Sequence, residues 1–413
     1  LAHQNCSPHR PETTDRLAAA AAGSLEPAKD FAVFNLLHAA ASGPTPALIF
    51  DLDRLSLQYN TLHQQLPEAK ILYAVKANPS PQILERLAEL GCGFDLASPG
   101  EVASCLALGV PPERLSFGNS VKKQVDIASA FAAGIRQFAF DSPQELDKLA
   151  AAAPGARVFC RIGVSGTGAQ WPLTHKFGCT VEAAVALLVR AAQLGLQPVG
   201  VSFHVGSQQT QPAAWTHAIG HAHQAFLQLA RHGIELEFIN LGGGLPAHYL
   251  DPTPPLSAYI DAIREALART FGAQQPALFV EPGRFLVGDA GVLVAEVVLV
   301  ADRPHERVPR WVYLDAGTYT GLDETVGERI HYRMEVLDHL GRRRDRPLGP
   351  VVLAGPTCDS TDVIYRHGIE LPLDLEPGER IVFLSAGAYT TTCSSIDFNG
   401  FAPLCTRFVG AAS

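Results

Sequence analysis

The feature that most constrains this chain is a regular alternation between about Ala47 and Gly291. Short apolar runs suited to buried strands alternate with stretches carrying helical periodicity. Ala47–Asp51, Ile71–Val75, Arg157–Arg161, Gly200–His204 and Phe238–Leu241 read as parallel strands, being mostly apolar where strands of one-sided sheets would alternate. Pro81–Leu90, Val181–Leu194 and Ala213–Arg231 read as the helices between them, bounded by Pro, Thr or Gly as helix ends prefer. So many strand–helix units in succession predict an eight-fold β/α barrel rather than an open doubly wound sheet, with any site at the rim where the strands end.

Beyond Gly291 the pattern changes. Val292–Ala301, Trp311–Asp315, Val351–Ala354 and Arg380–Ser385 are strand-like with no long helix between them, which predicts a second domain of β-sandwich or β-barrel type. The expected organisation is a tail over 1–30, a segment over 31–48 packing with the β domain, the barrel over 49–290 and the β domain over 291–413. A formal charge of -9 gives no electrostatic reason to expect nucleic acid or an anionic membrane as partner. No run approaches the length of a membrane helix. The eight cysteines (6, 92, 105, 160, 179, 358, 393 and 405) are scattered, so reduced thiols in a cytoplasmic protein are expected.

The residues that carry chemistry follow the strands in order. Tyr73-Ala-Val-Lys76-Ala-Asn78 puts a lysine at a strand end. Desolvation there is expected to favour the neutral amine, which can condense with an aldehyde. For a lone lysine, pairing with a rim carboxylate is the commoner outcome. His204-Val-Gly-Ser207, Gly242-Gly243-Gly244 and Glu281-Pro-Gly283-Arg284 each follow a predicted strand. Three glycines alone mean little more than a tight turn.

Taken together and in this order, these motifs resemble the fold-type III decarboxylases that use pyridoxal 5'-phosphate, the group containing ornithine, diaminopimelate and arginine decarboxylases. The similarity runs from about Ala47 to Leu404. It implies that Lys76 holds the cofactor's aldehyde covalently. Gly242, Gly243, Gly244, Gly283, Arg284, Ser207 and Tyr389 would serve its phosphate. Glu281 would keep the pyridine nitrogen protonated, which makes the ring an electron sink. His204 would stack on the ring, and Asp95 and Arg161 would line the same pocket.

A second cluster, Gly355-Pro-Thr-Cys358-Asp359-Ser-Thr-Asp362, resembles the loop that the family delivers across a subunit boundary. The resemblance implies a homodimer with shared active sites. Cys358 would return a proton to the carbanion, Asp359 would bind the distal ammonium of a diamino acid, and Phe398 would lie near its aliphatic part. Lys176 and Asp362 are expected to pair between subunits. One departure concerns the segment Asp315 to Arg333. Animal-type ornithine decarboxylases carry a second substrate aspartate where Arg333 stands here, and this segment is similar to a bacterial subgroup instead. Asp323 or Glu324 is left to supply that carboxylate.

Rival functions are weighed on the same residues. A racemase of this fold places arginine, not glutamate, at the pyridine nitrogen, and a non-catalytic cofactor-binding relative would have lost Lys76, Cys358 or Asp359. Diaminopimelate enzymes usually show Cys-Glu where this chain has Cys358-Asp359. Arginine decarboxylases of the fold are disfavoured as much longer chains. Ornithine, giving putrescine, leads, with lysine, giving cadaverine, beside it. One methylene separates the two, which a pocket distinguishes by only about 1–3 kcal/mol. No metal is expected from His217, His221 and His223, which read as an exposed helix face. The run Arg342-Arg-Arg344 reads as a solvated loop.

Overall fold

The computed structural model describes residues 35–172 and 176–410; the expected tail lies outside them. Eight parallel strands close into a barrel. In spatial order they are Ala69–Ala74, Gly93–Leu96, Leu115–Phe117, Gln137–Phe140, Arg157–Arg161, Gln197–Ser202, Phe238–Asn240 and Ala277–Val280, the last pairing back onto the first. The helices predicted around 81, 181 and 213 form as Pro81–Glu89, Val181–Gln193 and Ala213–Ala230.

Local chemistry explains where several helices begin. Ser98 and Ser142 precede Pro99 and Pro143, and each hydroxyl accepts the backbone N–H three residues on, from Glu101 and Glu145. Glu101 in turn accepts the Ala97 N–H at 2.6 Å, so free N–H groups at the helix entrance are satisfied from both sides. The barrel interior is packed. Phe238 and Phe279 stack with centroids 4.4 Å apart and Phe159 meets Phe238 edge-on at 5.6 Å. Gly200 makes room for this layer, since a Cβ there would lie 2.6 Å from the Phe238 ring. The filled floor confines open space to the rim at the strand C-termini.

The strand Ala47–Asp51 corrects the sequence reading. It forms, but not in the barrel: it pairs antiparallel with Gly291–Asp302 and parallel with Cys405–Val409. An all-apolar run is buried on both faces in either setting, so its composition does not distinguish them. Gly291–Asp302 is the spine of the β region. Its first half pairs with Arg380–Phe383, a register shift falls between Val297 and Leu299, and its second half pairs with Arg310–Leu314. Such a bulge turns one strand toward a second set of partners, here continuing through Val352–Ala354 to Val363–Tyr365. Leu36, Leu37 and Ala40 share a core cluster with Ile49, Val292, Val294 and Val382, which ties the start of the described chain to this sheet.

Candidate active site

The strand ends place their side chains around one cavity of about 340 Å³. Lys76, Asp95, Arg161, His204, Ser207, Glu281, Arg284, Asp323, Glu324 and Tyr389, all singled out in the sequence, line it together. Cavity-lining residues absent from that reading include Asn119, Trp171, Phe177 and Cys393.

Lys76 sits on a single 3-10 turn, Val75–Ala77, directly after the first barrel strand. The turn is pinned from both sides. Tyr73 donates its hydroxyl to the Asn78 carbonyl at 2.9 Å, the Asn78 amide donates to the Gly387 carbonyl at 3.0 Å, and Tyr389 N–H donates to the Ala77 carbonyl at 2.8 Å. The Lys76 ammonium lies 3.0 Å from Asp95 Oδ2. Although 46% of this side chain is accessible, the access is from the cavity. Desolvation pushes its pKa down, but Asp95, Tyr389 and Glu281 more than reverse that, so the amine is held protonated. The expectation of a neutral amine is thereby corrected for the cofactor-free protein. Burial alone would have neutralised it; burial beside Asp95 does not.

Glu281 shows the opposite balance. Burial, and then the nearby Asp95, push its carboxyl up to about 7, although Asn240 donates to it at 2.5 Å and Lys76 and Arg161 pull the other way. A carboxyl poised near neutrality both holds and releases a proton under ordinary conditions. His204 is neutral: burial lowers its pKa well below the usual value, reinforced by the charges of Arg161 and Lys76. Its Nδ1 accepts the Gly206 N–H at 3.0 Å, which leaves the proton on Nε2.

The glycine run packs behind this wall. Gly242 and Gly244 have φ of +64° and +111°, and a Cβ on Gly243 would meet the Glu281 carbonyl at 2.7 Å and His204 Nε2 at 3.1 Å. Only glycine allows the three segments to approach this closely. Gly283 is equally confined, a Cβ there falling 2.9 Å from that of Ala77.

Arg284, buried, donates to Ser207 Oγ at 3.1 Å, to the Tyr249 hydroxyl at 2.7 Å and to both oxygens of Glu324. Its guanidinium also stands over the Tyr389 ring, 4.8 Å from the centroid. Glu324 is therefore engaged inside the protein. Asp323 also lines the cavity, and burial, then the nearby Glu324, push its carboxyl above the usual range.

Cys358, Asp359 and Phe398 do not reach this cavity within the chain. They form a separate cluster at the surface of the β region, with Cys358 and Phe398 exposed and Asp359 half-buried. The Asn399 side chain accepts the Cys358 N–H at 3.1 Å and donates to Cys358 Sγ at 3.3 Å. Phe398 stacks on Tyr319 with centroids 4.6 Å apart, and Asp359 Oδ1 accepts from Thr361 N–H and Oγ1 at 2.8 and 2.7 Å. Asp362, expected to pair with Lys176 of a second chain, is buried within its own chain and accepts from the backbone and hydroxyl groups of Thr318 and Thr357, which brace its loop.

The family model for the pyridoxal binding domain of pyridoxal-dependent decarboxylases matches residues 52–288. The chain is 35% identical to a lysine/ornithine decarboxylase of Selenomonas ruminantium over 359 residues, 87% of this chain and 88% of that one. A lysine/ornithine decarboxylase of Vibrio vulnificus solved with cadaverine has a TM-score of 0.82 at 30% identity, the match covering 92% of this chain and 98% of that one. The arginine decarboxylase of Paramecium bursaria Chlorella virus has a TM-score of 0.83 at 28% identity, covering 92% and 100%. That last match removes the argument from length, since an arginine decarboxylase of this fold fits entirely within the span of this chain.

Proposed function

We propose that this chain, which belongs to the pyridoxal-dependent decarboxylases, acts on L-ornithine and L-lysine with active sites completed by a second copy of itself. It is a basic amino-acid decarboxylase dependent on pyridoxal phosphate. The observation that carries the substrate reading is a set of carboxylates with a division of labour. Glu324 is neutralised by Arg284, while Asp323 stands in the cavity wall with no cation paired to it among the described residues.

The residues present fit the cofactor. Asp95 Oδ1 is buried with no hydrogen-bond partner among the described residues, the glycine run packs directly against His204 and Glu281 of the cavity wall, and Arg284 and Ser207 stand together in that wall. When bound, pyridoxal phosphate supplies an aldehyde that condenses with amines and a ring that accepts the electron pair left when carbon dioxide departs. Lys76 would provide the holding amine, and Asp95 Oδ2, 3.0 Å away, is placed to take up the proton that the ammonium must lose first. Glu281 holds a proton at the ring-nitrogen position, which its raised pKa suits. His204, fixed and uncharged, offers a flat ring without adding a positive charge. Arg284, Ser207, Tyr389, Gly283 and Gly242 to Gly244 serve the phosphate.

Asp323 and the partner's Asp359 take the distal ammonium, and a site with two carboxylates disfavours the distal carboxylate of diaminopimelate. The partner's Cys358 delivers the proton that completes the amine product, with Phe398 beside the aliphatic chain. This dimeric reading rests on the surface placement of Cys358, Asp359 and Phe398, outside the cavity of their own chain. The free cysteines among the described residues accord with a cytoplasmic setting. No helix of the described residues is long and apolar enough to cross a membrane.

Mixing two inactive variants tests the shared site. Lys76→Ala and Cys358→Ala each lack one half of it. Refolded together they should regain about a quarter of the parent activity, because half of randomly mixed dimers are mixed and each of those has one intact site. No recovery in verified mixed dimers contradicts the trans arrangement.

A further inference from the structure

Cys160 and Cys179 play no part in the proposed chemistry, yet their sulfurs lie 3.6 Å apart. Cys160 is buried in the barrel strand Arg157–Arg161, and Cys179 is partly accessible just before the helix Val181–Gln193. The approach is built by the backbone. Cys179 N–H donates to the Arg161 carbonyl at 3.1 Å, and Gly163 N–H donates to the Cys179 carbonyl at 2.8 Å. Gly178, at φ +87°, lies so near Gly163 that a Cβ would fall 2.6 Å from its nitrogen, while its own N–H donates to Asp141 at 2.8 Å. These contacts hold the two thiols face to face.

We propose that Cys160 and Cys179 are an oxidative modification site: a hydroperoxide converts them to a reversible intramolecular disulfide that slows the enzyme by disturbing the cavity wall. The order of events follows from the two environments. Cys179 is the accessible sulfur, and its contact with Cys160 lowers its pKa, whereas burial and that same contact raise the pKa of Cys160. Cys179, as thiolate, attacks one oxygen of the hydroperoxide, becomes the sulfenic acid and releases water or an alcohol. Cys160 sulfur then displaces the hydroxyl, which leaves as water with the Cys160 proton. In sum, two thiols and one hydroperoxide give one disulfide, one water and one further water or alcohol.

The consequence for activity rests on the functional reading above. A disulfide requires the sulfurs to close by about 1.6 Å to about 2.0 Å, which side-chain rotation and a shift of the two segments share between them. Arg161 adjoins Cys160, Phe177 lies two residues before Cys179, and the Arg161 guanidinium stands over the Phe177 ring at 5.0 Å. Both residues line the cavity. A displacement on this scale in an active-site wall costs on the order of ten- to a hundredfold in rate.

The test treats the cofactor-loaded protein with hydrogen peroxide, then alkylates free thiols and maps the peptides by mass spectrometry. The expected result is one cross-link joining Cys160 to Cys179, a ten- to hundredfold loss of activity, and recovery of both with dithiothreitol. Cys179→Ser and Cys160→Ala should each retain the reduced parent's activity, form no such cross-link and resist the loss. Cys179→Ser alone decides the matter if the buried Cys160→Ala fails to fold. Inactivation with only Cys358 oxidised, or equal sensitivity in Cys179→Ser, overturns the proposal. A cross-link that leaves activity unchanged overturns its coupling to the cavity. A parent protein without decarboxylase activity that still forms the cross-link overturns the functional reading and leaves the site standing.

Discussion

The guanidinium of Arg284 meets the carboxylate of Glu324 with both prongs, at 2.7 and 2.5 Å, and only 3% and 8% of the two side chains is accessible. Arg284 also holds Ser207, so the proposed phosphate donors are oriented before any cofactor binds. Removing one partner of a buried pair leaves the other charge uncompensated, which typically costs about 3–5 kcal/mol. Glu324→Gln should therefore lower the stability of the cofactor-free protein by roughly that amount. Bound phosphate supplies a replacement anion, so the loss should shrink in the holo protein. Thermal unfolding with and without pyridoxal phosphate measures both. Equal losses in the two states contradict the assignment of Arg284 to the phosphate.

Asp323 has the complementary role. A charge-assisted contact with a substrate ammonium is worth about 1.5–3 kcal/mol, or roughly ten- to a hundredfold in binding. Asp323→Asn should raise KM for ornithine and lysine by that factor while leaving cofactor affinity and stability near the parent values. Steady-state kinetics on both substrates checks this. An unchanged KM assigns the distal ammonium to other groups.

The Glu281 carboxyl, raised in the folded cofactor-free protein from 4.5 to about 7, predicts a pH dependence of stability. Between those values the folded state keeps a proton that the unfolded state releases. Stability attributable to this group is therefore present at low pH and lost as pH rises through the window. Denaturant unfolding of the cofactor-free parent and Glu281→Gln from pH 4.5 to 7 gives the difference. The variant should lose this downward component, and parallel curves for the two proteins contradict it.

Much of this was legible because barrel strands announce themselves as apolar runs and their ends carry the chemistry. Arg157–Arg161 formed with its sequence-predicted bounds, and Lys76, His204, Glu281 and Arg284 converged as their positions after strands implied, joined by Asp95 from within the strand Gly93–Leu96. What escaped was decided by partners distant in the chain. Ala47–Asp51 is as apolar as a barrel strand, and only its pairing with Gly291–Asp302 places it elsewhere. The charge on Lys76 depends on Asp95 from the next strand, and the choice between Asp323 and Glu324 depends on which of them Arg284 reaches. Asn240 and Tyr249 were missed as supports of Glu281 and Arg284, although Asn240 stands two residues before the glycine run and could have been suspected from that position.

The most direct test of the central claim is carbon dioxide release by the cofactor-loaded protein from L-ornithine and L-lysine, with L-arginine and meso-diaminopimelate alongside. Rapid release from ornithine and lysine, with putrescine and cadaverine as products and little from the other two, is the predicted result. Release confined to arginine or diaminopimelate, or none from any of the four with the cofactor bound at Lys76, contradicts it.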